Sequence, residues 1–575
     1  MLPAHSDSKT VNRRRFIQLS AAASSGLLVA VGGEAAAETH VCPRSHPPAR
    51  MLYAFRLEEL TSYSWDMRLA LTTLQGIVNR NQPRLYLAQD RYDELWLDWL
   101  RERGDVDAVQ WLEVGQVFER FLPEVSCVFV TDPAVPASIN VATMLAAVHG
   151  GLVATPGTAH QYHLSMGAPP DSSKVGMDLR TLHWKRDVEA YRWAYQELSD
   201  QLSRQAIAYL DPYSTPLRDY LVAFKIPILW ICAAEDAARN PQASPEEEYQ
   251  FARDILMKWP VNIPCMGWPG NSPNAEAGIG EWPGVRLASQ CGKFVVCTGY
   301  DGYSPAVSNL SVHSGTTARL HQREPPAVKL QRDKAYIAFV RSDGDGWNFQ
   351  RHYYRKLFDE ANRSTTPIAW QIGPTATDGQ PDLLDYYYRR ARPGDYFVNA
   401  LSGVGYVWED VFAEYFPAEQ RERIWRDYLE LSAIYRARID SQAVSTFAEM
   451  SAERLKGIAR IAGIRGVFAN YGRTDVTTND NLVTEVGGVP VFRSVNRPPT
   501  ELTFTPANRR DAESFVISEV RRWTPAKRPA FLHVFLANWL THMEMVENIA
   551  KGLGPEYVAV RPDQLIALYR QSKSV

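Results

Sequence analysis

The sequence predicts an α/β protein: N-terminal domains built on open, mostly parallel sheets, followed by a C-terminal (β/α) barrel-like domain. Three observations lead there. Short apolar, β-branched or aromatic runs alternate with amphipathic helical stretches along most of the chain. Past residue 330 the alternation becomes regular, with strand candidates at the spacing of a (β/α) barrel. The 575 residues are 45% apolar and 22% charged, a globular composition on a chain too long for one ordinary core.

Residues 1–39 read as a twin-arginine-type export signal. Asn12-Arg13-Arg14-Arg15-Phe16-Ile17 supplies the basic opening, residues 16–33 carry no charge, and Ala35-Ala36-Ala37 offers small residues for cleavage. The reading implies passage through the twin-arginine export machinery into the periplasm or medium. The uncharged run is near the lower length limit for a membrane span and contains glycines and serines. No later stretch is expected to span a bilayer, so the mature chain is expected to have no stable membrane span. Formal net charge is −3 and becomes −5 without the first 37 residues, a balance that does not suggest a nucleic-acid partner. The six cysteines show no Cys-x-x-Cys zinc spacing. A Cys291–Cys297 bridge across a hairpin is compatible with an oxidising compartment, whereas Cys127 and Cys232 lie in apolar runs as inert thiols.

Region 48–164 alternates strand signals at 51–55, 84–87, 127–130 and 152–154 with helical ones at 65–79, 92–100 and 139–149. It contains no Gly-x-Gly-x-x-Gly or Walker loop, so no nucleotide site is expected. Region 165–322 continues with helices at 184–205 and 246–258 and strands at 207–210 and 228–231. Its texture then changes over 264–284, rich in Gly, Pro, Trp and Asn, which reads as a binding loop or a packed crossover. Arg323-Glu324-Pro325-Pro326 is the linker. In domain 330–575 the strand candidates are 335–340, 367–372, 396–401, 443–447, 467–470, 489–492, 531–536 and 557–560. Residues 474–488 are polar and poorly periodic, which leaves a distorted or seven-stranded barrel as the alternative to a regular eight-stranded one.

The stretch Arg341-Ser342-Asp343-Gly344-Asp345-Gly346-Trp347-Asn348-Phe349-Gln350 follows the first of these strands. Two carboxylates at the carboxyl end of a strand, separated by glycine, can be presented to one pocket. The plain alternative is a solvated turn whose aspartates bond their own backbone. A calcium loop fails on spacing, because Trp347, Asn348 and Tyr354 stand at the fifth, sixth and twelfth positions from Asp343. Trp347, Asn348 and Gln350 offer an aromatic face and amides of the kind sugar hydroxyls use. Other strand ends add Glu409, Glu449, Asp475 and Asn538. His313, His352, His533 and His542 form no paired-histidine motif, and His533 reads as a core residue.

Gly403-Val404-Gly405-Tyr406-Val407-Trp408 resembles the signature of the GxGYxYP putative glycoside hydrolases. Ser342-Asp343-Gly344-Asp345 with Asn348 and Gln350, Thr73 to Arg80, and Asn309-Leu310-Ser311-Val312-His313 appear in the order that family shows. Trp408 stands for the signature's second Tyr and Glu409 for its Pro. The resemblance implies α/β domains ahead of a barrel-like domain, and glycan processing. Glycosidic cleavage needs one protonated and one ionised carboxyl across a scissile bond. Asp343 and Asp345 are therefore catalytic candidates, with Glu409 favoured over Glu449 and Asp475 for the opposite side. Tyr406, Trp408 and Trp347 would stack on sugars, and Asn348, Gln350, Asn538, Asn309, Ser311 and His313 would bind hydroxyls. No cofactor is expected, although a divalent cation at Asp343 and Asp345, serving a deacetylase-like hydrolysis, is an alternative. A non-catalytic glycan-binding or assembly protein is the other.

Overall fold

The structure is a computed structural model that describes residues 39–574, except 58–64, 162–175, 235–239, 271–277, 303, 361–364, 448–449, 471–481, 496–508 and 538–540. The expected export signal, and the candidates Glu449, Asp475 and Asn538, therefore lie outside the described residues. The chain divides into Met1–His40 and Val41–Val575, and every element below belongs to the second unit.

Three small parallel sheets come first. Strands β1 (Met51–Arg56), β2 (Leu85–Ala88) and β3 (Ala108–Trp111) pair in the order β2-β1-β3, and β4 (Val128–Val130), β5 (Leu152–Ala154) and β6 (Met177–Asp178) in the order β5-β4-β6. The single open sheet expected over 48–164 is thus two, and β6, from beyond residue 164, joins the second. Strands β7 (Ile207–Tyr209), β8 (Ile228–Leu229), β9 (Pro264–Gly267) and β10 (Phe294–Cys297) follow in the order β10-β9-β7-β8. β9 opens the segment expected to be irregular. Its Pro-Cys-Met-Gly composition gives no β-branched signal, and it becomes a strand because parallel neighbours flank it on both sides.

The C-terminal sheet has nine strands: β11 (Ala335–Arg341), β12 (Ile368–Ile372), β13 (Asp395–Asn399), β14 (Ala443–Phe447), β15 (Gly466–Asn470), β16 (Val483–Val486), β17 (Val489–Arg493), β18 (Ala530–Leu536) and β19 (Tyr557–Ala559). Its path is β16-β17-β15-β14-β13-β12-β11-β18, and a Ser494–His533 bridge also joins the end of β17 to β18. β18 pairs with β11 along its full length, so β19 and β12 share the other edge of β11, at Ala335–Ile337 and Val340–Arg341. All eight expected strands are present. The ninth, β16, is an antiparallel partner of β17 across Gly487-Gly488, whose φ values of 60° and 80° suit a two-residue hairpin turn.

Alternate residues of this sheet face different cores. Tyr336, Ala338, Val340, Val398, Phe468 and Phe492 pack with Leu565, Ile566 and Tyr569 of helix 562–573. Ile337, Phe339, Trp370 and Phe397 face a large cluster that also takes in residues of β7, β9 and β10. Burial on both faces explains the nearly continuous apolar strands. All six cysteines are buried, and none is in a disulfide. The Cys291–Cys297 bridge does not form, because β10 runs parallel to β9 and no hairpin brings the two thiols across. No described helix is long and apolar enough to cross a membrane.

Candidate active site

The fully buried strand β11 carries the chain to Ser342, whose N–H donates to the Leu536 carbonyl at 3.0 Å. The next residues turn sharply, with Asp343 at φ 62°, a left-handed conformation that aspartate tolerates better than most residues. Gly344 is obligatory by contact: a Cβ there would lie 1.6 Å from the Gln371 carbonyl oxygen. Its carbonyl accepts from the Gly373 N–H at 2.6 Å and from Gln350 Nε2 at 2.7 Å. The Tyr354 hydroxyl holds the Ser342 carbonyl at 2.9 Å. This rigid turn presents Asp343 and Asp345, each half-buried.

Two further acids reach the same place from the preceding sheet. Asp301 lies just past β10, and Glu281 is the first residue of helix 281–290. Asn348 Nδ2 donates to Asp301 Oδ2 at 2.8 Å and to the Gly299 carbonyl at 3.0 Å. The Tyr406 hydroxyl donates to Glu281 Oε1 at 3.1 Å. Tyr406 itself is fixed by reciprocal backbone hydrogen bonds with Val295 of β10, at 2.8 and 3.0 Å. The Gly-Val-Gly-Tyr signature therefore ties the C-terminal domain to the sheet that carries Asp301.

The electrostatics follow from this convergence. Burial first, and Asp345 second, raise the Asp343 carboxyl well above the ordinary range, with Glu281 and Asp301 adding to the shift. Burial pushes Asp345 up to about 7, again with Glu281 and Asp301 contributing. Glu281 is raised by burial and by Asp301, against the lowering effect of the Tyr406 hydroxyl. Burial and neighbouring acids thus keep protons on Asp343, Asp345 and Glu281 more readily than on free carboxyls. Such a set can both donate and accept a proton. Among the described residues, no group of three or more His, Cys, Asp or Glu is arranged to hold a metal ion.

Aromatic side chains rise beside the acids. Trp408 lies flat against Phe447 of β14, centroids 5.4 Å apart at 4°, and Trp282 packs on Trp408 at 4.5 Å. Trp282 is 60% exposed.

Several sequence-predicted roles change. Trp347 is fully buried against Gly379 and offers no stacking face. Asn348 and Gln350 are equally buried, and they brace Asp301 and the Gly344 carbonyl from behind. Asn309, Ser311 and His313 are core residues. Asn309 Oδ1 accepts from Gln75 Nε2 at 2.7 Å, Ser311 Oγ from Asn79 Nδ2 at 2.9 Å, and His313 Nδ1 pairs with Asp382 at 2.9 Å. Burial pushes His533 down to about 3, so it is a neutral core imidazole whose Nδ1 lies 3.2 Å from the Phe492 carbonyl oxygen. Glu409 is 2% exposed and accepts from the Ser402 hydroxyl and, at 3.0 Å, from Thr446 Oγ1. It anchors its own loop, and the acids facing Asp343 and Asp345 are Glu281 and Asp301. Sequence reasoning missed both, along with Trp282. The available signals were Asp301-Gly302 close behind an apolar strand and Glu281-Trp282 in the Trp-rich stretch.

Models of the first, second and third GxGYxYP domains match residues 52–121, 125–202 and 204–315. The model of the GxGYxYP putative glycoside hydrolase C-terminal domain matches 333–570. Among solved structures, a putative hydrolase from Bacteroides thetaiotaomicron VPI-5482 superposes with a TM-score of 0.73 at 19% identity, over 95% of this chain and 99% of that one. At that identity the likeness shows the fold. A putative polysaccharide deacetylase from Mycobacterium smegmatis gives a TM-score of 0.29 at 14% identity, over 44% of this chain and 96% of that one, too low a likeness to inform either fold or function. Comparison with curated proteins gives no match.

Proposed function

The chain belongs to the GxGYxYP family of putative glycoside hydrolases, and from that membership we propose a glycosidase that works by carboxylate acid/base chemistry. The observation that carries the reading is the approach of Glu281, held by Tyr406, and Asp301, held by Asn348, to the half-buried Asp343 and Asp345, close enough to shift the protonation of both.

Cleavage needs a carboxyl that is protonated at working pH to donate to the leaving glycosidic oxygen. Asp343 and Asp345 suit this role because burial and their acidic neighbours hold the proton on. The second group must be ionised, either to attack the anomeric carbon or to take a proton from water. Glu281 suits this role, because the Tyr406 hydroxyl donates to it and favours its anion. The acid then loses its proton to the departing sugar oxygen, and water supplies the hydroxyl of the new reducing end. The twin-arginine-like opening of the sequence supports action outside the cytoplasm.

The test is product release from polysaccharides and aryl glycosides by the purified chain, with and without EDTA, beside Asp343→Asn and Glu281→Gln. Turnover that survives the chelator and falls about 10²-fold or more in both variants is expected. Activity that needs a divalent cation would replace this reading with metal-assisted hydrolysis. Glycan binding with no turnover in any of the three proteins would replace it with a binding role.

A further inference from the structure

Among the described residues, Trp282 is the most exposed of the large apolar side chains, at 60%. Its surroundings fix it in place. One side packs on Trp408, and Trp408 lies parallel to Phe447 on the end of β14. The backbone N–H of Trp408 donates to Ser289 Oγ at 2.9 Å, and Ser289 belongs to the same helix, 281–290, as Trp282. The outer indole thus leans at 44° on a stacked Trp408–Phe447 pair set on the strand framework, and little freedom remains to be lost when something settles on it. Glu281 accepts from the Tyr406 hydroxyl, and Tyr406 packs on the same Phe447 with centroids 5.7 Å apart. The exposed ring is therefore joined to the acids through one aromatic cluster.

A rigid indole face beside hydrolytic carboxyls matches the C–H face of a pyranose ring. The charge of the cleft narrows the choice further. The charged groups that shift Asp343, Asp345 and Glu281 are other acids, so uronate or sulfate groups would enter against like charge. We propose that Trp282 is a sugar-ring platform flanking the cleft, and that the ligand it receives is an uncharged glycan of more than one residue, one ring on the indole and the next bond at the acids. The inference rests on the glycosidase reading for its second half, since the platform matters to catalysis only if the acids cleave.

Affinity electrophoresis of the full chain in gels containing laminarin, mixed-linkage β-glucan or galactomannan, beside gels containing polygalacturonate, tests it. Retardation by at least one neutral polymer is expected, weakened about tenfold in Trp282→Ala, roughly the effect of one good ring contact. Trp282→Tyr should keep most of the retardation. Equal retardation of wild type and Trp282→Ala, retardation by polygalacturonate alone, or none by any polymer would each overturn the proposal. Failure of the glycosidase reading has a separate signature: retardation that depends on Trp282 while no polymer is cleaved.

Discussion

The Tyr406 hydroxyl donates to Glu281 Oε1 at 3.1 Å, joining residues 125 positions apart in the chain. The bond stabilises the ionised carboxyl, and burial and Asp301 oppose it. Removing the hydroxyl while keeping the ring, as in Tyr406→Phe, raises the Glu281 pKa further. The acidic limb of the pH profile of kcat/KM, which reports the group that must be ionised, should move to higher pH, with a loss of about tenfold or more at neutral pH. An unshifted limb would remove Glu281 from that role.

Asp345 couples function to stability. Its carboxyl titrates near 7 in the folded chain, against about 3.9 when unfolded. Between those values the folded state binds more protons, so this group's contribution to stability declines as pH rises from about 4 to 7. Asp345→Asn should therefore be more stable than wild type at pH 8, by on the order of 1–3 kcal/mol after allowance for its partial exposure. The gap should shrink toward pH 4, as urea unfolding at the two pH values would read.

Glu409 is also pushed up to about 7, by burial, yet its oxygen is committed to Ser402 and Thr446. Glu409→Gln keeps an acceptor for both hydroxyls. Its kcat should stay within about threefold of wild type, where loss of a general acid or base costs about 10² or more. Steady-state kinetics on any accepted glycoside decides between the two.

Asn309 joins two distant segments. Its Oδ1 accepts from Gln75 Nε2 and, at 2.9 Å, from the Leu87 N–H, and its Nδ2 donates to the Leu87 carbonyl at 2.9 Å. Asn309→Ala leaves buried polar groups unpaired, at a cost of about 1–3 kcal/mol each. Thermal unfolding should show a clear loss of stability while KM stays at the wild-type value. A raised KM with unchanged stability would restore a substrate contact.

Much of this protein was legible locally. The eight C-terminal strand candidates, the helix at 65–79 and the turn at Asp343-Gly344-Asp345 were readable because periodicity, β-branching and glycine act over a few residues. The hairpin strand β16 was hidden, because its polar sequence becomes a strand only through pairing with β17.

The sequence by itself determined the α/β class, the order of its elements and the two aspartates at the end of β11. Only the tertiary structure decided which acids approach them, since Glu281 opens a helix and Asp301 follows a strand of the preceding sheet, and no local period connects them. It also decided which tryptophan meets solvent. Trp347 and Trp282 are the same residue type, but Gly379 lets one indole sink to 0% exposure while the stack on Trp408 holds the other at 60%. Burial depends on what packs from elsewhere in the chain, and a linear pattern does not encode it.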